Sequence, residues 1–348
     1  MFKTLKDFNL IDKRVLIRCD FNVPIDENGE ILDNFRIKKT LPTIKYFIGN
    51  KAKIILMSHL GNPGGKAAPE LAMDKVAERI SEYLDFPIAK APDCIGPEVK
   101  SAADLLEPGQ ILLLENLRFH KEETENDPEF AKKLSFLGDI YVNDAFSVCH
   151  RNHASVAGIP EFLQGCAGFL LEKEITSLDK IIKNPEKPMV AIVGGTKVET
   201  KSKFIDKISQ IADFVIISGL LKKEITEKNI RFEHADKIIG PSGELGTLDI
   251  NDKSIKMFKE RISGAKTILW NGPFGRFEDK EYEKGTLAIA NSIIESKAFS
   301  VVGGGETVEF LQKKDMIDKF SHVSTGGGAM LAYLAGEKLP GLVALENS

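Results

Sequence analysis

Arginines and histidines stand at the ends of the apolar runs in the first half of this 348-residue chain. Arg18 precedes Asp20-Phe21-Asn22, His59 sits in Ser58-His59-Leu60-Gly61, Arg118 closes Asn116-Leu117-Arg118, and His150-Arg151-Asn152-His153 follows the fourth run, with Arg36 in a loop between the first two. Guanidinium forks match phosphate and carboxylate oxygens two at a time. Singly, each such arginine reads as a surface ion-pair residue. Gathered at one rim of one sheet in a net-acidic chain, they point to a small polyanion.

The second half carries glycines where the first carries cations: Gly194-Gly195-Thr196-Lys197, Asn271-Gly272-Pro273, Gly303-Gly304-Gly305-Glu306-Thr307 and Ser324-Thr325-Gly326-Gly327-Gly328. Glycine lets backbone N–H groups and helix N-termini come close to phosphate. One such loop could be no more than a tight turn, but four at consecutive strand ends suit a nucleotide. Neither a G-x-x-x-x-G-K-[ST] nor a G-x-G-x-x-G fingerprint occurs, since Gly61-Asn62-Pro63-Gly64-Gly65-Lys66 has the wrong spacing. That speaks against P-loop hydrolases and Rossmann dehydrogenases. A polyanion lobe and a nucleotide lobe together suggest phosphoryl transfer, whose catalysis is largely positioning and charge neutralisation.

These groups need a scaffold of parallel sheets covered by helices, and the chain has that rhythm. Strands are expected over 14–21, 52–59, 110–117 and 139–145, then over 189–194, 214–218, 267–270, 299–303 and 322–325. Between them lie helical stretches such as Pro128 to Leu137, after an Asn126-Asp127 cap, and Tyr282 to Ser296. The fold class is therefore α/β, two lobes each built on a parallel sheet flanked by helices, joined by a linker helix. The N-terminal lobe takes 1–169, an interdomain helix and linker ending in Asn184-Pro185-Glu186-Lys187-Pro188 takes 170–188, and the C-terminal lobe takes 189–335.

Bulk properties agree. The chain is long enough for two domains, 43% hydrophobic and 28% charged, with a net charge of −4. No global basic field recruits nucleic acid or an anionic membrane, so neither partner is expected. Cys19, Cys94, Cys149 and Cys166 form no C-x-x-C pair and read as buried free thiols of a reducing cytoplasm. No run approaches the roughly 20 apolar residues of a membrane span.

Five long motifs closely resemble the phosphoglycerate kinase family over nearly the whole chain: 15–24 (Val15-Leu16-Ile17-Arg18-Cys19-Asp20-Phe21-Asn22-Val23-Pro24), 113–119 (from Leu113 to Phe119), Val142-Asn143-Asp144-Ala145-Phe146, Leu269-Trp270-Asn271-Gly272-Pro273 and 320–329 (from Phe320 to Ala329). The resemblance implies reversible transfer between 1,3-bisphosphoglycerate with ADP and 3-phosphoglycerate with ATP, in glycolysis or gluconeogenesis, by a monomer using Mg²⁺. It implies that Asp20, Phe21, Asn22, Arg36, His59, Leu60, Gly61, Asn62, Arg118 and Arg151 bind phosphoglycerate, with Arg18, His150 and His153 shaping the patch. Lys197, Lys201, Asn271, Glu278, Gly304, Gly305, Glu306 and Thr307 would then hold the nucleotide, with Glu306 on the metal. Arg36 and Lys197 would neutralise the phosphoryl group in flight, the lobes would close on both substrates, and 336–348 would return to the first lobe.

Three departures stand out. Asn62 replaces the arginine usual in His-Leu-Gly-Arg-Pro, with Lys66 or Arg276 as candidates to restore the charge. Glu306 replaces an aspartate, and its extra methylene moves the carboxylate. The segment from Gly219 to Trp270 is shorter than in relatives, which affects the wall of the adenine pocket. The alternatives are a degenerate phosphoglycerate-binding homologue without efficient catalysis and a nicotinamide dehydrogenase. Against the first stand Arg36, Lys197, Lys201, Glu278 and both glycine triplets; the second lacks its fingerprint.

Overall fold

The structure is a computed structural model that describes residues 2–196 and 198–348. The chain divides into two compact units, one of residues 1–173 and 338–348, the other of residues 174–337.

The first unit is built on six parallel strands: β1 Arg14–Arg18, β2 Lys53–Met57, β3 Ala89–Lys90, β4 Ile111–Leu113, β5 Ile140–Asn143 and β6 Gly165–Ala167. Their spatial order is β3-β4-β2-β1-β5-β6. The central strands are unbroken aliphatic runs because both faces are covered; Val15, Leu16, Ile17, Ile54, Ile55 and Leu56 are all fully buried. Each strand stops where its ladder does. The pairs of β1 end at Arg18 opposite Met57 and Asn143, so the residues that follow are freed to form a rim.

The second unit repeats the plan with β7 Met189–Val193, β8 Phe214–Ile217, β9 Ile238–Ile239, β10 Thr267–Asn271, β11 Phe299–Gly303 and β12 His322–Val323, in the order β12-β11-β10-β7-β8-β9. The two-lobed parallel α/β architecture is the one read from the sequence. β3, β6 and β9 are additions, two or three residues each, too short to register as apolar runs.

Helix starts follow local chemistry. Asp127 accepts from Phe130 N at 2.8 Å and opens the helix Pro128–Ser135, and Ser218 and Asn251 cap the helices Gly219–Glu227 and Asp252–Ser263 in the same way. The helix Phe169–Lys183 begins in the first unit, where Asp144 Oδ1, just past β5, accepts from Leu170 N at 2.9 Å and Leu171 N at 3.3 Å. Its Glu174 is fully buried in the second unit and accepts from Thr325 N at 2.7 Å and Thr325 Oγ1 at 2.8 Å. The C-terminal helix Pro340–Asn347 packs on the first unit through buried Leu342 and Leu345, and Gly341 N donates to Cys149 O at 2.9 Å. All four cysteines are free and buried. Among the described residues no helix is long and apolar enough to cross a membrane.

Candidate functional site

In each sheet one pair of neighbouring strands sends its following segments in opposite directions, which opens a crevice beyond the strand ends. In the first sheet the pair is β1 and β5; in the second it is β10 and β7. Among the described residues, many of those singled out in the sequence lie in the segments that follow these strands.

At the first rim, Asp20 is almost wholly buried and forms an ion pair with Arg36 at 3.0 Å. Arg36, in the first turn of the helix Phe35–Gly49, also donates to Asn22 O at 2.8 Å. Ser147 Oγ bonds to the same carboxylate. Asn22 Oδ1 accepts from Gly61 N at 2.8 Å, and Arg118 Nη1 donates to Gly61 O at 2.8 Å, so the loops after β1, β2 and β4 are tied together. Beneath them Asn116 Nδ2 donates to Leu60 O and Leu71 O, and Ser58 Oγ accepts from Phe21 N.

Arg18 lies under the rim. It is fully buried, with Nε donating to Ser155 Oγ at 2.8 Å, Nη1 to Cys19 O, and Nη2 3.1 Å from His59 Nδ1. Because a guanidinium only donates, His59 must accept at Nδ1, and its neutral ring then carries the proton on Nε2. Burial, reinforced by Arg18, Arg118 and Arg36, holds His59 well below the ordinary imidazole range. Burial likewise brings His153 down to about 4, with Arg118, Arg18 and Arg151 adding to it. The Arg118 guanidinium falls to about 10, first through burial and then through Arg151 and Arg18, and its Nε is buried without a hydrogen-bond partner among the described residues. Four guanidiniums, those of Arg18, Arg36, Arg118 and Arg151, gather about the buried carboxylates of Asp20 and Glu123. That surplus of positive charge suits a dianion.

Arg151 and Asn62 are exposed, whereas the side chains of Phe21 and Leu60 are buried, so contact with a ligand would come from their backbone. Lys66 is exposed one residue beyond Gly65, whose N–H donates to Arg118 O. Arg276 pairs with Asp279 and lies over the Tyr282 ring, within its own unit.

At the second rim, the loops after β7 and β10 touch backbone to backbone. Gly194 N donates to Asn271 O at 2.8 Å and Gly195 N to Pro273 O at 2.9 Å. A Cβ on Gly194 would stand 2.1 Å from Pro273 O, and Gly272 has φ +93°, so side chains are excluded from both. Lys201 Nζ donates to Gly194 O, and burial lowers the ammonium to about 8 against the opposing pull of Glu306. Thr307 is buried and its hydroxyl accepts from Gly272 N at 2.9 Å. Asn271 Nδ2 is buried without a partner among the described residues. Gly304, at φ +99°, precedes the helix Gly305–Lys313, whose first turn presents the exposed carboxylate of Glu306. An exposed carboxylate oxygen at a helix N-terminus is the hard donor that Mg²⁺ takes alongside substrate phosphates, so Glu306 fits that ion. Glu278 is exposed on the loop after Phe277. Lys197 lies outside the described residues.

Sequence reasoning passed over the supports. Ser155 accepts from Arg18, and Glu123 accepts from Ser155 N at 2.9 Å and Ser155 Oγ at 2.6 Å. Glu123 sits in the charged stretch Lys121-Glu122-Glu123-Thr124-Glu125, where nothing distinguishes the one buried glutamate from its neighbours.

A cationic crevice on one parallel α/β unit and a glycine-lined crevice on a second define a two-unit phosphotransferase. The phosphoglycerate kinase family model matches residues 5–229 and 221–337. The chain is 40% identical to the phosphoglycerate kinase of Chlorobium luteolum and 41% identical to that of Moorella thermoacetica, each alignment covering 99% of both chains. Among solved structures, the phosphoglycerate kinase of Pyrococcus horikoshii superposes with a TM-score of 0.88 at 32% identity, covering 99% of this chain and 98% of that one. That of Coxiella burnetii gives 0.84 at 33%, covering 100% and 99%. The chain belongs to the phosphoglycerate kinase family, and its activity is that family's phosphoryl transfer. Nothing in these likenesses supports a degenerate binding protein. The family match divides at 221–229, inside the segment that reads as short.

Proposed function

We propose that this enzyme carries out reversible, Mg²⁺-dependent transfer between 1,3-bisphosphoglycerate with ADP and 3-phosphoglycerate with ATP, acting as a cytoplasmic monomer in glycolysis or gluconeogenesis. The observation that carries the division of labour is the contrast between the two crevices. The first has surplus guanidinium charge; the second is lined by glycines that leave no room for side chains, beside the buried ammonium of Lys201.

The N-terminal lobe, taken as 1–169 with the returning segment 336–348, holds phosphoglycerate on Asp20, Asn22, Arg36, His59, Gly61, Asn62, Arg118 and Arg151, with backbone contributions from Phe21 and Leu60. Asp20 orients Arg36, and neutral His59 offers an Nε2–H donor that adds no charge. The unit of 189–335, reached through the helix and linker 170–188, holds ADP or ATP on Lys197, Lys201, Asn271, Glu278, Gly304, Gly305, Glu306 and Thr307. Bound Mg²⁺, held by Glu306, would neutralise charge on the nucleotide phosphates. Arg36 and Lys197 stabilise the phosphoryl group as it moves, and excluding water protects the acyl phosphate.

The test is transfer from ATP to 3-phosphoglycerate, coupled to consumption of the acyl phosphate, with and without Mg²⁺. Activity should require the metal and collapse in Lys197→Ala and Arg36→Ala. Metal-independent turnover, or a Lys197→Ala variant of normal kcat, would remove these assignments.

A further inference from the structure

Beyond the turn that carries Arg118, Asp93, Cys94 and His120 bring a carboxylate, a thiol and an imidazole together, their donor atoms all within 4.8 Å of one another. None of the three has a role in the transfer proposed above. Asp93 and Cys94 lie in the loop between β3 and the helix Pro97–Asp104, and His120 closes the turn that begins at Asn116.

The cluster is already organised. His120 Nε2 lies 2.6 Å from Asp93 Oδ1, which also accepts from Cys94 N at 2.6 Å. The imidazole is steadied against Phe130, with ring centroids 5.2 Å apart. The Cys94 sulfur is wholly buried, 3.0 Å from Glu115 O, while the side chains of Asp93 and His120 are 47% and 25% exposed. The sulfur is thus shielded from bulk oxidants, and the two other donors leave a route for an ion.

We propose that Asp93, Cys94 and His120 form a binding site for a soft divalent transition ion, zinc foremost, with water as the fourth ligand. One thiolate, one imidazole and one carboxylate is a set that zinc accepts and that magnesium, a hard oxygen-seeking ion, does not. A tetrahedral zinc holds its donors roughly 3.5 Å apart, so side-chain rotations of about an ångström complete the geometry. On binding, a sulfur–metal bond replaces the Cys94 S–H bond and the proton leaves to solvent. His120 gives up the Nε2–H hydrogen bond to Asp93, loses that proton to solvent and takes one up at Nδ1, and ligates through Nε2 as the neutral Nδ1–H tautomer. Because His120 ends the turn that carries Arg118, the ion would pin one end of a segment of the cationic rim.

Cobalt(II) is the probe. Titrated into the chelator-stripped full chain, it should bind one equivalent with a thiolate-to-cobalt charge-transfer band, be displaced by zinc, and resist a large excess of Mg²⁺. Cys94→Ser should abolish the band. His120→Ala, which keeps the Cys94 thiol, should weaken binding at least about tenfold with an unchanged far-ultraviolet spectrum. Absence of the band in the native chain, or its persistence in both variants, would overturn the site.

Discussion

His153 shows how one buried residue writes a pH dependence into the fold. Its ring titrates near 4 in the folded chain against 6.5 ordinarily, burial being the main cause. Between those values the unfolded chain binds the extra proton, so folding stability drops as pH falls from about 6.5 towards 4. His59 acts in the same direction. Urea midpoints taken at pH values of about 7 and 5 should therefore fall more for the native chain than for His153→Gln, and equal falls would show that His153 contributes nothing. Lys66 supplies a second prediction at this scale. It is the exposed cation nearest in sequence to the position where Asn62 stands in place of arginine. An exposed charge contact is worth about 0.5–1 kcal/mol, so Lys66→Ala should raise the KM for 3-phosphoglycerate about two- to fivefold and leave that for ATP unchanged. Arg276, already engaged by Asp279 and Tyr282, should tolerate alanine without that change.

At the scale of elements, the crossing of the loops after β7 and β10 is an exacting feature of the second unit. Gly194→Ala would drive a methyl group against Pro273 O, and a backbone oxygen cannot swing aside as a side chain can. We expect a stability loss of about 1–3 kcal/mol, read from thermal melting, together with a raised KM for ADP. A variant of normal stability and normal KM would mean that the two loops part easily. The expected strands agree with the structure in their cores and overrun it at their ends, as at Asp20-Phe21 and Ser58-His59. Those residues are apolar or buried like strand residues, but they have no ladder partner. What makes them rim rather than strand is the length of the neighbouring strands, which their own sequence does not contain.

For the whole molecule, the chain's return places residues 338–348 in the first unit although they follow the entire second one. Leu342 and Leu345 are buried there, and Lys3 Nζ donates to Ser348 O at 2.9 Å. Burying two leucines is worth roughly 3–6 kcal/mol, so removing 338–348 should speed hydrogen exchange in β1 and β5 while leaving β7 and β10 unchanged. Equal effects on both sheets would show instead that the units share their stability.

The sequence by itself determined the parallel α/β class, the cationic character of one half and the glycine character of the other, and the family. Those properties reside in residue types at strand ends and in long contiguous motifs, where neighbours along the chain are also neighbours in space. Tertiary structure alone decided that Arg18 lies beneath the rim, that Glu123 is the buried member of an acidic run, and that Asp93, Cys94 and His120 converge. Each depends on groups far apart in the chain, Arg18 reaching Ser155 and His59, Cys94 meeting His120. Burial and electrostatic environment are properties of distance, and distance between remote residues exists only once the chain has folded.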